Sequence, residues 1–149
     1  MVDVITHIEI SCKHNEVALY SANPDNAMEW YANIKSTEWL TPKPMGMGTK
    51  IAYKAHFLGK ELVYTYEVVE FVPLKRLVMQ TANGPFPMET SYEWKATGDN
   101  STFMSLRNRG NPKGFSKLFV PFMSLAMRKA NKKDLKRLKK ILENSDYGT

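Results

Sequence analysis

Tyr64 and Tyr66 stand two residues apart, as do Thr90 and Tyr92, and each pair sits in a stretch where residue character alternates. Side chains two apart on a strand point to the same face. Tyr53 and Asn108 hold the matching parity in two further alternating stretches. One face therefore gathers hydroxyls and a carboxamide, groups that orient a ligand by hydrogen bonds or, for tyrosine, donate a proton weakly. The same sets hold no His, Asp or Glu. His7 and His56 share parity with the charged residues, and His14 falls in a helical stretch. Cys12, the lone cysteine, has no histidine at hand to activate it and reads as a small core residue. The histidines and the cysteine lack metal-ligand spacing, and no phosphate-cradling or dinucleotide-binding glycine motif occurs, so neither metal nor cofactor is expected.

Apolar members of the same face would supply the rest of a pocket wall. Phe57 continues the run of Tyr53, Met88 precedes Thr90 and Tyr92, and Met104 precedes Asn108. Phe119, Met123 and Met127 recur at intervals of four, the spacing of one helix face. Thioethers are flexible and make an adaptable lining. With the tyrosines, Thr90 and Asn108, these residues form the candidate ligand-binding set. The same side chains serve equally as core filler whose polar groups bond to one another or to backbone, and the sequence leaves both readings open.

The positioning elements follow from periodicity. Val2 to Cys12 reads as a strand, with Thr6, Ile8, Ile10 and Cys12 on one face. His14 to Ala22 is helical, with Val17, Ala18 and Leu19 as its apolar part. Asn23 caps a second helix that Pro24 opens and that runs to about Ala32. Trp30 and Trp39 read as packing residues. Two prolines and two glycines make Thr41 to Gly48 a loop, and Met45 and Met47 at its tip suit either a gate over a cavity mouth or an ordinary connector packed on the long helix. Strands then alternate through Thr49 to Phe57, Leu62 to Val68, Arg76 to Thr81, Met88 to Trp94 and Thr102 to Asn108, with turns at Leu58-Gly59-Lys60, Asn83-Gly84-Pro85 and Gly98-Asp99-Asn100. Short turns make these strands antiparallel neighbours. A long helix follows, from Gly114 to Asn144, apolar in its first half and basic in its second. A sheet with one dry face needs a cover, and this helix is the only element long enough. Its expected covering stripe is Phe115, Phe119, Phe122 and Ala126, drifting to Met127, Leu138, Ile141 and Leu142, and the mouth is expected beside its apolar half.

At 149 residues and 43% hydrophobic composition, the chain reads as one ordinary folded domain, 1–149. No window approaches the ~20 apolar residues of a membrane span. No basic-then-apolar leader opens the sequence, and a single cysteine allows no internal disulfide, so the cytoplasm is the expected compartment. The net charge of +6 is concentrated: Arg128 to Lys140 carry eight basic residues and one acid, leaving 13 basic and 14 acidic residues elsewhere. Such a stripe is either a solvated helix face or a weak contact for an anionic membrane. Nucleic acid is not expected, because the aromatics fall on the sheet's dry face and the cations on the helix.

The order of a strand, two short helices, a six-strand meander and a long C-terminal helix resembles the START-like, or SRPBCC, superfamily. Particular residues carry the likeness: Asn23-Pro24-Asp25-Asn26 with Trp30, Gly46-Met47-Gly48-Thr49, Gly59-Lys60, Glu67-Val68, Pro73 and Arg76-Leu77-Val78. Gly84-Pro85-Phe86-Pro87, Tyr92-Glu93-Trp94 and Asp134-Leu135-Lys136-Arg137-Leu138-Lys139 continue it to the helix end. Within that superfamily the chain is most similar to polyketide cyclase/dehydrase-like proteins. The resemblance implies an α+β helix-grip fold, a curved antiparallel sheet of about seven strands wrapped around the helix. It also implies a small hydrophobic or amphipathic ligand, lipid-, sterol- or polyketide-like, held between sheet and helix. A cyclase or dehydrase acting through cavity tyrosines, and a homodimer joined through the apolar half of the helix, are the alternatives.

Overall fold

The computed structural model describes residues 1–83, 87–111 and 120–144. The chain runs β1 (Val2–Ile10), α1 (His14–Ala22), a 3-10 turn (Pro24–Asn26), α2 (Ala27–Trp30), β2 (Ile34–Trp39), β3 (Lys50–Phe57), β4 (Lys60–Val72), β5 (Arg76–Asn83), β6 (Met88–Gly98), β7 (Ser101–Gly110) and α3 (Val120–Glu143). The seven strands form one antiparallel sheet in the order β1-β7-β6-β5-β4-β3-β2. The sheet curls into a half-barrel around α3, which is the helix-grip fold. The expected turn at residues 83–85 lies partly outside the described residues, as do Phe115 and Phe119.

Alternation builds the strands. Tyr92 and Trp94 on β6, and Met104 and Leu106 on β7, are buried, and the residues between them are more exposed. The β3–β4 hairpin turns through Leu58 and Gly59, at φ 52° and 77°. Two consecutive left-handed residues give the turn whose twist matches the flanking strands. Two irregularities bend β4. Its pairing passes from Val68 opposite Met79 to Glu70 opposite Val78, so Val69 is an extra residue. Parity then flips, and Phe71 meets the core opposite Leu77. Bulges of this kind add twist and curvature.

β2 is the strand that no residue pattern announced. Its burial does not alternate cleanly, because the register shifts between Ile34 and Ser36 and leaves Lys35 and Ser36 both exposed. An edge strand with a bulge loses its period-two signature. The helical entry is shorter than the reading to Ala32. Asn23 Oδ1 accepts the Asp25 N–H at 3.0 Å, Pro24 follows the cap, and the helix stops at Trp30. Trp30 is fully buried, and Trp39 donates its ring N–H to Asp25 at 2.8 Å. On α1, Val17 and Ala18 are buried while Leu19 faces solvent.

The buried face of α3 comprises Met123, Asn131, Asp134, Leu135, Leu138 and Leu142. The expected stripe is thus displaced at its start. Phe122 is 54% exposed, because each helical residue turns by about 100° and Met123, not Phe122, is aligned with Asp134 and Leu138. Met123 packs with Val2 and Val4, and with Phe57, Val120 and Met127 at their margin. No helix among the described residues is long and apolar enough to cross a membrane.

Candidate ligand cavity

Between the concave face of the sheet and α3 lies a cavity of ≈ 130 Å³. That volume holds on the order of ten waters or a ligand of comparable bulk. Strand parity supplies one wall: Tyr53, Ala55 and Phe57 from β3, Leu62, Tyr64 and Tyr66 from β4, and Met88, Thr90 and Tyr92 from β6, with Met79 and Asn108 beside them. The helix supplies the other through Met123, Met127, Ala130, Asn131 and Asp134. Pro24, Ala27 and Tyr31 close the side between them.

The candidate set from the sequence therefore meets in one place, with two exceptions. Phe119 lies outside the described residues. Met104 points to the correct face but not to the cavity: it is fully buried opposite Trp94 and Ile8, in the solid part of the core. Parity decides the face of a side chain and says nothing of the distance along the strand from the cavity. Loop residues 41–48, expected as a gate or a connector, do not line the cavity either. Gly48 donates to the Val68 carbonyl at 2.9 Å, Gly46 to Thr49 Oγ1 at 2.9 Å, and Thr41 accepts from Lys50 at 3.1 Å. These bonds tie the loop to the start of β3, ahead of Tyr53, the first residue of that strand to line the cavity. Met47→Asp, on a tip 67% exposed, should change stability by less than about 0.5 kcal/mol in urea unfolding and leave ligand uptake unaltered.

Within the cavity the aromatic rings pack on one another. Tyr53 and Tyr64 stack at 5.5 Å, and Tyr66 meets both edge-on at 5.7 and 5.1 Å. Tyr66 is 2.7 Å from Thr90 Oγ1, which in turn donates to Asn108 Oδ1 at 2.7 Å, so Tyr66 is the donor in a three-residue relay. Tyr31 and Tyr92 share a bond of 2.6 Å. The hydroxyls of Tyr53 and Tyr64 stand on the cavity wall. Burial raises Tyr66 to about 12, with the Thr90 bond opposing it, and raises Tyr53, Tyr64, Tyr31 and Tyr92 well above ordinary tyrosine. Near neutrality all five stay protonated, so they donate hydrogen bonds and do not act as bases.

Two polar residues of α3 complete the site, and the sequence reading missed both. Asp134 is 3% exposed, and its Oδ1 accepts the Ala32 N–H at 3.2 Å. Burial lifts its carboxyl to about 6, against the bond from Ala32 and the charges of Lys133 and Arg137. Asn131 is 5% exposed, and its Nδ2 is buried without a partner among the described residues. The available signal was spacing. Asn131, Asp134 and Leu138 recur at intervals of three and four, on the inward stripe, yet Asp134 reads as one acid in a basic run when only charge is counted. Tyr31, placed on a short helix by the sequence, also reaches the cavity.

Comparison with known proteins supports this architecture. A protein of Thermus thermophilus superposes with a TM-score of 0.80 at 18% identity, over 93% of this chain and 94% of that one. The Zhui aromatase/cyclase from Streptomyces sp. R1128 superposes at 0.76 and 10% identity, over 92% and 90%. A START superfamily protein from Mycobacterium smegmatis gives 0.74 at 16% identity, over 95% and 94%. At these identities the likeness establishes the fold alone. Among curated proteins, none matches the sequence. The model of one family, described as polyketide cyclase / dehydrase and lipid transport, matches residues 1–143. With that match spanning nearly the whole sequence, the chain belongs to the polyketide cyclase / dehydrase and lipid transport family.

Proposed function

We propose that the protein binds a small, mostly apolar molecule with a neutral hydroxyl or carbonyl end, seated among the cavity residues Tyr53, Phe57, Tyr64, Tyr66, Met88, Thr90, Tyr92, Asn108, Met123 and Met127. One observation carries this reading. The Asn131 Nδ2 is buried on the cavity wall without a partner among the described residues, and the hydroxyls of Tyr53 and Tyr64 stand on the same wall. A buried polar group left unpaired costs about 1–3 kcal/mol, and a ligand oxygen that accepts from it recovers that cost. These groups can all donate, so the ligand's end must accept. Asp134, largely ionised at neutral pH, disfavours a carboxylate there.

A catalytic reading rests on the same carboxyl. A general acid or base works best with a pKa near the operating pH, and Asp134, on the cavity wall at about 6, meets that condition. It would move a proton next to a ligand carbonyl while Asn131 and a tyrosine hold the oxygen. The aromatase/cyclase relative gives that reading its reaction class. Native mass spectrometry of protein purified from its own host tests both. A constant added mass is the expected result, and matched neutral and carboxylate ligands should compete for the site with the neutral one ahead. Turnover of an aromatic polyketide, lost in Asp134→Asn, would favour catalysis. Failure to retain or bind any apolar compound would remove the binding reading.

A further inference from the structure

The basic segment of α3 divides into cations the fold uses and cations it leaves to solvent. Arg128 donates to the Ile5 carbonyl, Arg137 to the Glu29 carbonyl, and Lys139 to the Glu9 carbonyl and to Glu143. Lys129, Lys132, Lys133, Lys136 and Lys140 are exposed and make no ion pair or hydrogen bond among the described residues. At about 100° per residue, these five lie within an arc of roughly 100° on the outer side of the helix. Phe122 and Leu125 lie in that same arc, two turns and one turn before the first lysine, and are 54% and 67% exposed. The outer stripe is therefore apolar at one end and basic along the rest, over about 27 Å. The positive excess of the whole chain sits on this segment, so its field has one direction.

We propose that the outer face of α3 docks on an anionic membrane surface, with Phe122 and Leu125 entering the headgroup boundary and the five lysines resting on lipid phosphates. Charge complementarity selects the partner, and the exposed aromatic and aliphatic pair selects a bilayer over a polar polyanion. Single-stranded nucleic acid needs aromatics interleaved with cations, and here the two are segregated along the axis. That segregation suits a tilted helix whose apolar end dips below the phosphates. The same end carries Met123 and Met127 on its inner side, on the cavity wall. Docking brings that end of the cavity to the lipid, where an apolar ligand would pass between the two.

The test is co-sedimentation of the full chain, without added ligand, with phosphatidylcholine vesicles that contain or lack phosphatidylserine. Binding to the serine-containing vesicles alone, weakening steeply with salt, is the expected result. The double variant Lys132→Glu, Lys136→Glu should bind at least tenfold more weakly, since each lysine near such a surface contributes about fivefold. Leu125→Gln should bind several-fold more weakly with unchanged salt dependence. Its melting temperature should match the parent, because the residue is exposed and glutamine is a comparable helix former. Equal binding to both vesicle types, no binding, or a lipid-free dimer dispersed by Leu125→Gln would each overturn the proposal. The readout is independent of the cavity's occupant, so it stands or falls apart from the binding reading above.

Discussion

Asp134→Asn should raise the unfolding free energy at pH 7 by about 3 kcal/mol, and the unfolding midpoint by about 5–10 °C. The carboxyl sits at about 6 in the folded protein and near 3.8 when exposed. Between those values the native state binds more protons than the unfolded chain, so stability falls as pH rises through that window. Below about pH 4 the penalty shrinks to about 0.5 kcal/mol, and above pH 6 it is fully present. Asparagine keeps the oxygen that accepts from Ala32 and removes the charge. Unfolding of both proteins from pH 4 to 8 checks this: their difference should grow with pH and level off above 6. A constant difference would mean that the carboxyl is not held at a raised value by burial. A group that costs stability at neutral pH and lines a cavity is a candidate for function.

Ala130→Trp should abolish ligand uptake while preserving the fold. Ala130 lies on the cavity wall between the inward and outward arcs of α3 and is half-buried. An indole there projects into space of ≈ 130 Å³ without displacing a packed neighbour. Loss of probe affinity of at least tenfold, about 1.4 kcal/mol, is expected in titration with a fluorescent apolar compound. The melting temperature should hold or rise, because filling an apolar cavity restores lost contacts. Unchanged affinity would place the ligand outside the cavity.

Much of this molecule was readable from periodicity alone. The runs around Tyr53, Tyr64, Tyr92 and Asn108 gave the strands, the shared face and most of the cavity wall, because a dry concave face forces strict alternation. Three features were hidden for separate physical reasons. β2 broke its own period with a bulge at Lys35. Met104 obeyed parity but lay beyond the cavity, and depth along a strand has no signature in a single chain. Asn131 and Asp134 were concealed by their neighbours' charge, although their spacing put them on the inward stripe with Leu138. The displaced helix stripe has a related origin. With Phe122 and Met123 both apolar, composition could not say which faced inward, and packing against Val2 and Val4 chose Met123.

The pairing of β1 with β7 sets the order in which the chain can assemble. Thr6 bonds to Leu106, a separation of 100 residues. At ribosomal rates that interval lasts roughly 5–20 s. Throughout it the first strand, with Val2, Val4 and Ile10 on one face, has no native neighbour. The meander from β3 to β7 pairs strands that are consecutive in sequence and can close first, leaving the edge of β7 as a template for β1. Asp3, His7 and Glu9 alternate with the apolar residues of the waiting strand, and their polarity discourages it from pairing with another nascent chain.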